Sequence, residues 1–147
     1  MKKILTIILL FIGINSFAQK NHYSTAVGLK FSPTAISARQ FVGHSKAFEV
    51  NLYLPKDQTR LVVLYEMYND IRNTRMQWYY GYGAHYGRNY IDNSIGFGPD
   101  VTLGLDYKMK RSPIDVSLAF QPSMELNGGA FSGWGGFGIR YTLQNHK

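Results

Sequence analysis

The chain has 147 residues, a formal net charge of +7, no cysteine, and 15% aromatic against only 17% charged residues. So many Tyr, Phe and Trp with so little charge exclude intrinsic disorder. The absence of cysteine excludes a disulfide scaffold and any thiolate ligand or nucleophile. A helical membrane bundle is excluded because only one long apolar run exists, at the extreme N-terminus.

That run reads as an export signal. Lys2 and Lys3 form a positive start, Ile4 to Ile14 an apolar core, and Ser16, Phe17 and Ala18 a small-residue approach to cleavage before Gln19. Its length of about eleven residues is too short for the ~20 that a spanning helix needs. The expected organisation is a signal peptide over residues 1–18 and one domain over 19–147. Cleavage leaves 14 Lys+Arg against 9 Asp+Glu, a net of +5. That is mild, and no basic cluster is interleaved with stacking aromatics, so nucleic acid is not an expected partner.

From Tyr23 onward the dominant period is two, the mark of strands with unlike faces. Weaker runs over 22–31 and 34–42 come first. Phe48, Val50, Leu52 and Leu54 then alternate with Ala47, Glu49, Asn51 and Tyr53, and Leu61, Val63, Tyr65 and Met67 with Arg60, Val62, Leu64 and Glu66. Trp78 to Tyr86, Val101 to Tyr107, Ile114 to Phe120 and Phe137 to Leu143 repeat the pattern. Turn formers separate the runs, so eight strands in an antiparallel meander are expected, with no helix after the signal.

The two faces decide the environment. One is uniformly bulky and apolar, with aromatics towards its ends, as contact with lipid requires. The other mixes small residues with charges: Lys30, Arg39, Glu49, Glu66, Asp106, Lys108, Asp115 and Arg140. A soluble calyx would place these faces the other way round. The expected fold is therefore all-β, an up-and-down eight-stranded transmembrane β-barrel with strands of nine to twelve residues. The even strand number puts both termini on the periplasmic side. Outer loops are expected near 32–33, 55–58, 87–97 and 122–132, and inner turns near 42–45, 69–75 and 109–113. An eight-stranded lumen has room only for side chains, so Tyr53, Tyr79, Arg39 and Arg140 should plug it. Within the plug, Asp115 should lie between Arg140 and Lys108.

The stretches LYEMY (64–68), QWYYGYGAHYG (77–87), GLDYKMKRSPIDVSLAF (104–120) and RYTL (140–143) resemble small outer-membrane β-barrel proteins of Gram-negative bacteria. Those carry an LYE strand, a WYYGxGxHxG-like strand, a GLEYK-like strand, a proline turn, an LSLDWxP-like strand and a terminal RYxF. This chain departs with Asp106 in place of Glu, Ala119 and Phe120 in place of Asp-Trp, and Leu143 followed by four more residues. The resemblance implies an outer-membrane barrel with no established activity and no catalytic residue.

Chemistry is sparse. His22, His44, His85 and His146 have no metal-ligand spacing, and no cofactor is expected. Gly81, Gly83 and Gly87 lie in a strand with no following helix, so they are no phosphate loop; their expected role is to make room for Tyr79. A lipid-modifying enzyme would need His85 near Ser94 or Ser132, and a narrow pore would need a continuous water path. The expected partners are outer-membrane lipid and, during biogenesis, the barrel-assembly machinery; the protein is expected to be a monomer with a structural or binding role in the envelope.

Overall fold

Alternation of apolar and polar residues gives each strand two incompatible faces, and closing the sheet on itself separates them completely. In a computed structural model, which describes residues 25–143, this closure is what forms. The strands are β1 (Thr25–Phe31), β2 (Ala35–Phe41), β3 (Lys46–Tyr53), β4 (Gln58–Asp70), β5 (Met76–Asn89), β6 (Ile95–Lys108), β7 (Ile114–Met124) and β8 (Phe131–Leu143). They form a closed antiparallel barrel in chain order, β8 returning to β1. The export signal and its cleavage point lie outside the described residues, as do His22 and His146.

Thr25 pairs with Leu143, so both ends of the described chain lie at one end of the barrel. One row of register positions runs from Thr25 through Gln40, Phe48, Tyr65, Tyr82, Val101, Pro122 and Gly133. Extended past the end of β1, it returns at the level of position 35, ten residues beyond its start. That stagger sets a strand tilt of about 40°.

The sheet is inside out relative to a soluble barrel. Leu103 is 55% exposed and Leu118 60%, whereas Arg39, Glu49 and Glu66 are each 0%. The outward charges, such as Lys46 and Arg88, sit at strand ends.

Strand lengths depart from expectation. β1 and β2 have seven residues each, while β5 and β6 have fourteen. The connections expected over 87–97 and 122–132 are shorter, because β5 runs on to Asn89, β6 starts at Ile95, β7 runs on to Met124 and β8 starts at Phe131. Glycines and prolines that read as breakers are tolerated inside these strands. Pro122 pairs with Gly133 of β8, and the β6–β7 ladder is interrupted only where Val101 and Thr102 face Pro122 and Gln121. A residue without an N–H can sit there because the loss stays local, with pairing present at Asp100–Ser123 and Leu103–Phe120 on either side.

Candidate functional site: the charged lumen

The inward residues of β4 give the lumen's layers in order from the terminal end: Tyr68, Glu66, Leu64, Val62, Arg60. Tyr68 belongs to an aromatic floor with Phe41, Tyr79, Ala26 and Ala47. Its ring stacks on Tyr79 at 4.9 Å. Tyr79 finds its space across the strand rather than along it: its ring atoms lie 2.4–2.6 Å from where a Cβ on its register partner Gly104 would be. Of the glycines expected to make room, Gly81 and Gly83 instead lie against the backbone of β4.

Above the floor lies the main charge layer. Arg39 is fully buried, and its guanidinium rests over the Tyr68 and Tyr79 rings at 5.1 and 5.3 Å. Its nitrogens lie 2.7 Å from Glu49, 3.3 Å from Glu66, 3.1 Å from Asp106 and 3.5 Å from Asp115. Glu49 is the second hub. It pairs with Lys30 and Arg39, accepts from Arg140 Nη2 at 2.8 Å, and accepts from Asn51 at 2.9 Å. The Tyr68 hydroxyl donates to Glu66 at 2.7 Å. A planar fork allows each arginine to serve several acceptors at once, which an ammonium could not do in the same geometry.

Seven of the eight lumen charges expected from sequence thus meet directly in ion pairs: Lys30, Arg39, Glu49, Glu66, Asp106, Asp115 and Arg140. Lys108 stands at the terminal edge of the group, its ammonium 5.8 Å from the Phe41 ring centroid. The expected backbone register is present: Asp115 is opposite Arg140 on β8 and opposite Lys108 on β6. The Arg140 side chain selects other partners. Arg140 reaches across the lumen to Glu49 and donates to Ser37 at 3.1 Å and Ser117 at 2.8 Å, while Asp115 faces Arg39. A long side chain on a narrow barrel spans the interior more easily than it bends back to its own neighbour.

An apolar layer of Ala35, Tyr53, Val62 and Leu64 follows, with Trp134 packed against it. Beyond it lies a second polar cluster. Asp100 accepts from Arg60 at 3.3 Å and from Gln121 at 2.9 Å, and lies 2.6 Å from His85 Nδ1. The other ring nitrogen of His85 is 3.1 Å from Glu125, which also pairs with Arg60 at 3.5 Å. The Arg60 guanidinium covers the Trp134 ring at 4.4 Å. The parity of Arg60 with Glu66, and of Asp100 with Asp106, was the available signal for this cluster. Glu125 carried none, because it belongs to a connection and folds inward over Gly96.

The enzymatic arrangement is not assembled. Both nitrogens of His85 face carboxylates. The Ser94 hydroxyl donates to Asp92, and that bond with one from the Ser94 N–H holds the Asp92 carboxyl below its ordinary value. Ser132 Oγ lies 2.8 Å from Ser123 Oγ. Among the described residues no cluster of His, Asp and Glu has the form of a metal centre.

No family model and no curated protein matches the chain. Two solved structures do match in fold. The N-terminal β-barrel domain of Pseudomonas aeruginosa OprF aligns at TM-score 0.56 and 13% identity, covering 80% of this chain and 95% of that one. Neisserial surface protein A (NspA) aligns at TM-score 0.56 and 15% identity, covering 81% and 93%. At these identities the likeness is one of architecture: the chain has the eight-stranded antiparallel barrel fold found in those proteins.

Proposed function

We propose that this protein is an outer-membrane β-barrel, exported by its N-terminal signal, with a structural or binding role in the envelope. The observation that carries the reading is the inversion of faces. A continuous apolar outer surface would be costly in water, and a fully buried set of cross-linked charges would be wasted inside a soluble calyx. The termini then face the periplasm, the 54–57, 90–94 and 125–130 connections face outward, and lipid covers the wall. Assembly would use the barrel-assembly machinery, and the folded protein would act as a monomer with no nucleic-acid partner. The two aromatic and apolar layers on either side of the main charge layer favour a closed lumen over a pore.

The test is fractionation. The mature chain, starting near Gln19, should sediment with the outer membrane and be released only by detergent. Recovery in the soluble periplasm after detergent-free lysis would contradict the reading.

A further inference from the structure

The wall of the barrel is notched on one side. β1 ends at Phe31, opposite Phe137, so β8 from Phe131 to Gly136 has a strand partner only in β7. On the other flank β2 begins at Ala35, opposite Tyr53 of β3. Each residue of a strand tilted by about 40° adds roughly 2.4 Å of height. The seven residues of β2, which is bounded by a turn at each end, therefore rise about 17 Å, whereas an outer-membrane barrel presents an apolar band of about 25 Å. The β1–β2 hairpin stops roughly 8 Å short of the band's outer edge, and the β5–β6 tip overtops it.

A cleft opens at this notch, lined by Lys30, Ser32, Tyr53, Gln121, Trp134 and Gly136 among others. Its floor is polar. Its outer mouth is shallow, because the outward positions Gly133 and Gly135 carry no side chain. A Cβ at either would meet nothing closer than 3.4 Å, with the Phe120 ring alongside. Below the mouth, Phe31 stacks on Phe137 at 4.9 Å, and Val27, Leu29 and Ile36 lie exposed on the outer face.

We propose that the notch seats one lipid molecule, its polar linkage region against the β8 edge and the cleft floor, its chains running down β1 and β2. The proposal rests on the membrane reading above. At this depth a sheet edge needs hydrogen-bond partners that hydrocarbon cannot supply, so a bare alkyl chain does not fit. An amphipathic molecule satisfies both surfaces: ester or hydroxyl oxygens meet the edge, and the chains cover the exposed aliphatic side chains.

The chain's two tryptophans make the test internal. Trp78 faces outward and Trp134 faces the cleft. Each is isolated by a Trp→Phe substitution of the other, and the protein is folded into phosphatidylcholine vesicles brominated near the carboxyl end of the chains. A third variant, Phe41→Trp with both native tryptophans replaced by Phe, places an inward tryptophan in the aromatic floor, away from the notch. Trp134 should be quenched to nearly the extent of Trp78 and well beyond the Phe41→Trp control, and Gly135→Phe should reduce that quenching. If Trp78 is quenched while Trp134 matches the control, the notch is closed to lipid and the membrane reading stands. Quenching of Trp134 by aqueous iodide but not by bromolipid also overturns the proposal, since the notch then holds water. If Trp78 itself escapes quenching, the membrane reading falls. These comparisons remain decisive should Gly135→Phe fail to fold.

Discussion

Replacing Arg39 by Ala is expected to lower the unfolding free energy of the detergent-folded protein by about 3–5 kcal/mol, the usual cost of removing one partner from a buried ionic network. Arg39 touches Glu49, Glu66, Asp106 and Asp115. Its loss leaves four carboxylates to share Lys30 and Arg140, with Lys108 at the edge. Most of the cost is repulsion and desolvation of the anions left behind, together with loss of the guanidinium from the faces of Tyr68 and Tyr79. Arg39→Lys should recover part of the loss, because it restores the charge without the planar fork. Urea titration of the three proteins reads the difference. A cost below about 1 kcal/mol for Arg39→Ala would mean that water screens the lumen as it screens a surface pair.

The second large effect belongs to the other face. Leu103→Arg should cost about 2–4 kcal/mol when folding is measured into bilayers, the expected penalty for a guanidinium near the midplane. Leu103 lies on β6 midway between the outward Tyr107 and Pro99, and is 55% exposed. Its neighbour Thr102 is fully buried in the lumen. Thr102→Ser keeps the hydroxyl and removes one methyl, so its cost should stay within about 1 kcal/mol. Equal tolerance of the two changes would mean that the faces are assigned backwards.

Much of this architecture was legible because a barrel imposes one simple rule on every strand. Parity alone separates Leu103 from Thr102, and it placed all eight expected charges on the inner face. Counting outward from the turns also found the Asp115–Arg140 and Asp115–Lys108 registers. Side-chain reach was not legible. Parity fixes where a Cβ points, whereas the acceptor that Arg140 selects depends on the barrel's stagger, which brings Glu49 of β3 across the lumen. Strand ends were misread for a related reason. Gly96 and Pro122 look like breakers in isolation, yet a closed ladder holds them in place. The notch beside β1 followed from that same uncertainty, since only the register shows that β8 continues past Phe31.

The claim that the lumen is a packed ionic plug is tested most directly by paired double-mutant cycles on Arg140. One combines Arg140→Ala with Glu49→Ala, the other Arg140→Ala with Asp115→Ala, each read as unfolding free energy in detergent. Residues in direct contact within one network couple by about 0.5–3 kcal/mol. The Arg140–Glu49 cycle should fall in the upper part of that range and exceed the Arg140–Asp115 cycle, as the 2.8 Å contact to Glu49 requires. Coupling below about 0.5 kcal/mol in the Glu49 cycle would contradict the plug, leaving separately solvated charges in a wet lumen.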